Sequence, residues 1–240
     1  MPTSGGLEDL VWTEVDRESA TVAVPVGSLE QHGPHLPLDT DTAIAVAVSR
    51  ALPGVLVAPA IAYGASGEHE AFAGTVSLGA EVLETVLVEY GRSACRWAER
   101  VVFVNGHGGN GQALVKAAAL LRYEGRDVAW VPCMVPNADA HAGRTETSLL
   151  LHLSPSRVLW DRAVAGNTEP VERLMPRLRK GGMVAVSANG VLGDPTGATA
   201  AEGAQLFGEL VERVTKALAR WQPGPDGRLR WDPGADGRLR

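Results

Sequence analysis

Cysteine is scarce in this chain: Cys95 and Cys133 are the only two among 240 residues. Their spacing matches no zinc-finger pattern, and they do not suggest a disulfide framework, so both are read as small buried apolar side chains. Basic charge is also lacking. A formal net charge of -6 argues against a general nucleic-acid binder, which would carry a basic patch. No apolar run reaches transmembrane length, so no membrane span is expected. The opening MPTSGGLEDL has no basic segment followed by an apolar one, so no signal peptide is expected and the expected location is the cytoplasm. There is no GxSxG elbow, which leaves a serine-hydrolase reading without its usual signal. GHGGN (106–110) is rich in glycine but lacks the Lys and Ser/Thr of a phosphate-binding P-loop.

What is present suits a soluble globular protein. The 45% hydrophobic content is ordinary, and the length allows one full core, read as a single α/β domain over residues 1–220. Leu10–Trp12 is expected to pack on that domain. Thr21–Val26, Val55–Pro59, Val101–Val104 and Val128–Val131 read as buried strands. Asp41–Leu52, Ala80–Glu99, Gly111–Glu124, Thr145–Leu153 and Thr199–Trp221 read as helices, the last with Thr199 as N-cap and Glu202 completing a capping box. Val171–Leu178 is a short helix interrupted by Pro176, and 181–197 reads as an irregular, site-lining segment. Strand and helix alternate, which predicts a mainly parallel sheet with helices on both faces. Ligands bind beyond the carboxyl ends of the strands in such sheets, so the loops after the first, third and fourth strands are expected to share one site. The end of the chain holds a near-repeat, WQPGPDGRLR (221–230) then WDPGADGRLR (231–240), read as a duplicated flexible tail.

The first of those loops carries the densest chemistry. Within fifteen residues of Gly27 stand Glu30, His32, His35, Asp39 and Asp41. Imidazoles and carboxylates together suit zinc, iron or manganese. Pro34 and Pro37 stiffen the stretch and disfavour helix. Glu30 and His32, two apart in an extended segment, point the same way. Any one of these residues reads as ordinary loop polarity; the cluster reads as a metal site.

EQHGPHLPLDTD (30–41) resembles the metal-site signature of the creatininase family of metal-dependent amidohydrolases. The resemblance continues through YGASGEHEAFAGTVSLG (63–79), VNGHGGN (104–110) and HAGRTETS (141–148), and spans roughly residues 20–220. YGASGEH, VEYGRSA, HAGRTETS and VLGDPTGATAAEG look closer to one branch, the creatininase-like peptidases of the mycofactocin system. The resemblance implies a three-layer sandwich and two divalent metal ions (zinc, iron(II) or manganese), with Asp41 bridging them. One ion would take Glu30 and His107, the other His32 and Glu146. Creatininase itself, by the family pattern, has a carboxylate two residues past the histidine of the third loop; here that position is Gly109, so Glu146 is expected to replace it. His141 is the candidate for proton transfer to the leaving amine or for holding the substrate, with a capping or supporting role as the alternative. Glu68 and His69 sit in the long loop after the second strand and read either as lining the pocket or a subunit boundary or as plain surface. His35 and Asp39 are read as supporting residues, His152 as packing, and Asn110 as a helix cap.

The branch resemblance further implies a substrate: release of a C-terminal Val-Tyr dipeptide from the modified mycofactocin precursor peptide, by metal-bound hydroxide attacking the amide carbonyl. A small cyclic amide or formamide is the alternative substrate. A non-catalytic metal-binding subunit of a biosynthetic complex is the alternative of another class, disfavoured because structural sites are more often closed and cysteine-rich. The family implies a homo-oligomer.

Overall fold

The computed structural model describes residues 6–16, 19–136 and 138–231. Four strands form one sheet in the order β2-β1-β3-β4, every pair parallel: β1 is Thr21–Val26, β2 Leu56–Val57, β3 Arg100–Asn105 and β4 Val128–Pro132. Because side chains alternate across a strand, each strand feeds two cores. Val22, Val24, Val101, Phe103 and Val128 face helices α2 (Ala80–Ala94) and α3 (Gly111–Tyr123). Ala23, Val102, Val104, Ala129 and Val131 face α1 (Thr40–Ala51), α4 (Arg144–Leu153) and α6 (Ala200–Arg220). Both faces are therefore covered, which explains why the strands read as continuous apolar runs rather than as alternation. This is the α/β arrangement of parallel sheet between helical layers that the sequence pattern predicts.

The differences from the sequence reading have local causes. The helix expected over 80–99 ends at Ala94; tight turns over 95–98 fold Trp97 and buried Ala98 back onto the core before β3. The helix expected over 171–178 runs through Pro176 to Gly181 as α5 (Val171–Gly181). Pro176 is exposed, so the carbonyl it leaves unbonded one turn earlier can meet water. Leu10–Trp12 does not anchor the lead-in: Trp12 is 82% exposed, and Leu7 packs on the core instead. His152 is exposed too, with its ring beside Phe207.

The first copy of the terminal repeat is not a free tail. β4 is an edge strand, and unpaired edges are satisfied or covered in stable sheets. Residues 227–229 do this: Trp130 N–H donates to the Gly227 carbonyl (3.0 Å) and Leu229 N–H to the Trp130 carbonyl (2.8 Å). The Trp130 indole donates to the Asp226 carbonyl (2.9 Å), and Leu229 is fully buried. The second copy lies, except for Trp231, outside the described residues.

Candidate metal centre

The loops after β1, β3 and β4 meet at the carboxyl edge of the sheet. The β1 loop is held from both sides: Glu30 N–H donates to the Leu38 carbonyl (2.9 Å), and Val76 N–H donates to the Leu29 carbonyl (2.9 Å). This buries Glu30, Gln31, His32 and His35 together. Asp41 enters from the first turn of α1. Gly106, after β3, allows this approach; a Cβ there would lie 3.0 Å from the Asp41 carbonyl carbon. Asn110 does not cap α3. Its buried amide accepts from Ala65 N–H (2.9 Å) and donates to the Gly27 carbonyl (2.9 Å), tying three loops together.

Asp41 stands between two histidines. Its Oδ1 is 3.2 Å from His32 Nε2, and its Oδ2 is 3.1 Å from His107 Nδ1. The Ser28 hydroxyl donates to Oδ2 (2.8 Å). His32 Nδ1 faces the Glu30 carbonyl (3.1 Å), which only accepts, so Nε2 is left to face Asp41 and Glu146. His107 Nε2 lies 3.2 Å from the Ala65 carbonyl and 3.2 Å from Glu30 Oε2. Glu146 comes from α4, 3.9 Å from His32 Nε2. Its Oε2 accepts from Ala142 N–H (2.6 Å), and Ala142 takes a positive φ of 51° to present that group. A left-handed non-glycine residue costs roughly 1–2 kcal/mol, a strain that here aims a carboxylate.

The structure thus brings Glu30, His32, Asp41, His107, His141 and Glu146 into one cluster. It adds His69, which the sequence left between pocket and surface: the ring is buried, with Nε2 3.3 Å from Glu30 Oε1. Glu68 lines the pocket, with Oε1 3.7 Å from His107 Nε2. His35 is buried against the Thr147 hydroxyl (2.8 Å). Asp39 does not support a ligand; it is half-exposed and pairs with Arg157. At Gly109 a Cβ would collide with the His107 ring and the Ala65 carbonyl and come within 2.9 Å of Glu68 Oε1, so this backbone has no room for a side chain there. Gln31 was missed. An amide fits neither a ligand nor an acid-base pattern, and its contacts, with His69, His141 and Gly190, are distant in sequence.

The electrostatics are those of a cation site. Both Glu30 carboxylate oxygens are buried and accept no aligned hydrogen bond, with only the ring nitrogens of His69 and His107 nearby, at 3.3 and 3.2 Å, a costly arrangement for an anion unless a cation compensates it. Burial pushes Glu30 up to about 7 against the pull of His107. Glu146 is likewise pushed up to about 7 by burial, opposed by His32. Burial alone would raise Asp41, but His32 and His107 hold it well below the usual carboxylate range. Burial disfavours the charged forms of His32 and His107, yet Asp41 beside the first and Glu30 beside the second raise them to about 10 and about 9. Protons therefore stand in for positive charge among the carboxylates. Glu30–Asp41–His107 and His32–His141–Glu146 each place their ligand atoms close enough to hold one ion. The residues fit divalent metal.

The cluster opens into a cavity of about 480 Å³ whose lining also includes the apolar Met134, Leu149, Met175, Leu178, Met183 and Leu192. Cys133 also lines it. A second cavity of about 690 Å³ adjoins it across Val135, Asp139, Thr145, Val171 and Leu192, and carries Arg144, Glu169, Glu172 and Asp194.

Comparison with known proteins agrees with this geometry. Residues 8–218 match the family described as creatininase, creatinine amidohydrolase. A relative from Mycolicibacterium smegmatis, named mycofactocin precursor peptide peptidase, is 62% identical over 217 residues, 87% of this chain and 88% of its own length. Among solved structures, a tryptophan-to-phenylalanine variant of creatininase superposes with a TM-score of 0.77 at 28% identity, covering 91% of this chain and 99% of that one. A structure titled creatininase Mn gives 0.74 at 28% identity over 91% and 98% of the two chains. Among the described residues, no helix is long and apolar enough to cross a membrane.

Proposed function

The chain belongs to the creatininase family and is a metal-dependent hydrolase of amide bonds, and we propose that it is a cytoplasmic peptidase releasing a C-terminal Val-Tyr dipeptide from the modified mycofactocin precursor peptide. The observation that carries the hydrolytic reading is Asp41, whose two oxygens face different histidines beside the buried Glu30 carboxylate, which accepts no aligned hydrogen bond. A carboxylate can bridge two ions because it has two oxygens. We assign one ion to Glu30, Asp41 and His107, and a second to His32, Asp41 and Glu146 with His141 alongside. Zinc, iron(II) and manganese all suit this mixture of imidazole and carboxylate. Divalent ions there supply the Lewis acidity that activates water and offsets the charge developing on the amide oxygen.

The remaining work falls to the chain itself. Burial of Glu30, His32 and Asp41 keeps bulk water away from the reacting end of the cavity. The wall of Met175, Leu178 and Met183 offers apolar surface to a side chain flanking the scissile bond. His141, with Nε2 held by the Gln31 carbonyl (2.8 Å), is oriented rather than free to swing. That favours its supporting role over the proton-transfer role. The substrate itself is supported by the 62% identical relative's name and by the adjoining cavities, which offer room for more than a small cyclic amide.

The protein is also proposed to act as a homo-oligomer. Val82 and Val86, one turn apart on α2, are 53% and 37% exposed and offer an apolar contact. A monomer mass in light scattering would overturn this. The test of function is mass spectrometry of a modified precursor peptide ending in Val-Tyr, incubated with metal-loaded enzyme. Release of intact Val-Tyr, abolished by chelator and restored by metal, is the expected result. No release from loaded enzyme, with turnover of creatinine or a formamide instead, would replace the peptide substrate by a small amide.

A further inference from the structure

Among the described residues, three sets of ligating atoms can be drawn through the cluster: Glu30–Asp41–His107, His32–His141–Glu146 and Glu30–His69–His141. The third has the same chemistry, and Gln31 decides its fate. The orientation of the Gln31 amide is fixed by two backbone groups. Its Oε1 accepts from Gly33 N–H (2.8 Å), and its Nε2 donates to the Gly190 carbonyl (3.0 Å). An N–H cannot accept and a carbonyl cannot donate, so the two ends of the amide cannot be exchanged.

The other Nε2 hydrogen of Gln31 faces His69 Nδ1 at 2.9 Å. That nitrogen must accept; a proton on it would set N–H against N–H. The one proton of the His69 ring therefore sits on Nε2, 3.3 Å from Glu30 Oε1. His141 is arranged oppositely. Its Nε2 donates to the Gln31 carbonyl (2.8 Å), which leaves the lone pair on Nδ1, 3.8 Å from Glu30 Oε1. The same Nε2 lies 3.1 Å from Gln31 Nε2, but both hydrogens of the amide are already committed, so no bond forms between these two donors.

We infer that Gln31 is a positioning residue that holds His69 and His141 in the same Nε2–H tautomer but turned opposite ways, His69 with its N–H directed towards Glu30 and His141 with its lone pair turned into the cluster. His69 then offers no lone pair to a cation. It steadies the Glu30 carboxylate instead, and the third set of atoms stays closed to metal. The proton on Nε2 of each ring follows from the hydrogen-bond geometry; the limit of two ions rests on the two-centre reading above. Residues that orient metal ligands in this way typically change metal affinity by roughly 10–100-fold when replaced.

The test is long-range proton–nitrogen correlation NMR on zinc-loaded protein with 15N-labelled histidine. The chain has six histidines, and His69→Gln identifies the signal of His69. The expected result is a protonated Nε2 and an unprotonated Nδ1 on His69, with two zinc ions per subunit by elemental analysis. Gln31→Glu keeps the size of the side chain but replaces donors by an acceptor. It is expected to move the His69 proton to Nδ1 and to weaken zinc binding at least about tenfold in chelator competition. A proton on Nδ1 of His69 in the unaltered protein, or a third bound zinc, would overturn the inference. So would an unchanged tautomer in folded Gln31→Glu protein. The unaltered protein's spectrum decides even where that variant does not fold. No substrate enters the measurement, so a failure to cleave peptide leaves the inference standing and a wrong tautomer leaves the peptidase reading standing.

Discussion

The two sides of the catalytic cavity are built differently. The metal side comes from the ends of regular elements: Glu30 and His32 follow β1, Asp41 opens α1 and His107 follows β3. All four are buried, and their carboxylates and imidazoles sit within about a hydrogen bond's length of one another. Much of the apolar lining comes from α5 and the turn that follows it, where Met175, Leu178 and Met183 line the space with flexible apolar side chains. One side is rigid, charged and over-determined. The other is soft, and unbranched methionine adapts to irregular shapes. On the proposed function, this difference assigns bond breaking to the sheet edge and the choice of substrate to the α5 side.

The comparison breaks most directly at Asp41. Asp41→Asn keeps the shape but removes the charge that faces both histidines. Hydrolysis is expected to fall by about 10⁴-fold, roughly 5.5 kcal/mol of transition-state stabilisation, with loss of bound metal in elemental analysis. Full metal and full activity in this variant would remove Asp41 from the site.

Proton competition sharpens the same side. In metal-free protein His32 and His107 are raised to about 10 and about 9, so both are charged at pH 7. Ions must displace those protons. Metal uptake at pH 7 is expected to release about three protons, one from each histidine and about half of one from each of Glu30 and Glu146, and affinity to climb as pH rises towards 9. Calorimetry in buffers of different ionisation heat measures the release. The sign for stability follows. These two histidines, and Glu30 and Glu146 at about 7, all have raised values, so their contribution is full below their unfolded pKa values. It is lost as pH rises through about 7 for the glutamates and about 9–10 for the histidines. Metal-free protein should therefore lose thermal stability on going from pH 6 to 9 relative to loaded protein. A chelator-treated sample that melts in parallel with the loaded one would contradict the charge assignment.

A third effect tests a region away from the cavity. Leu229 is fully buried beside β4, so Leu229→Ala should cost about 2–4 kcal/mol in denaturant unfolding while leaving metal content unchanged. A change below about 0.5 kcal/mol would mean that residues 227–229 do not cover the edge strand.

The sheet was legible because valine-rich runs buried on both faces announce parallel strands, and the alternation with helices put three polar loops at one edge. Glu30, His32 and Asp41 stood out because three ligand types crowd into twelve residues that follow a strand and contain two prolines. His69 was only half legible, since its partners Gln31 and Glu30 lie nearly forty residues away. Asn110 was misread for a related reason: a polar residue at a helix start is ordinarily a cap, and nothing local reveals that its amide reaches Ala65 and Gly27. Leu229 was hidden in a sequence of turn-forming residues, where one apolar side chain gives no period. Local pattern reports local structure, and long-range polar contacts have no local pattern.

The smallest expected effect tests the soft wall. Met175 sits on α5 with its side chain on the cavity, and Met175→Ala removes apolar contact without touching a charged group. If the wall chooses the substrate while the sheet edge breaks the bond, KM should rise by about tenfold, roughly 1.4 kcal/mol of uniform binding, with kcat little changed. Metal content should not move. The balance of kcat and KM is the informative quantity. A loss confined to kcat would mean that Met175 acts in the transition state and that the two sides of the cavity are not separable. An unchanged KM for peptide would place the substrate's side chains elsewhere, with the adjoining cavity around Arg144 and Asp194 the next wall to alter.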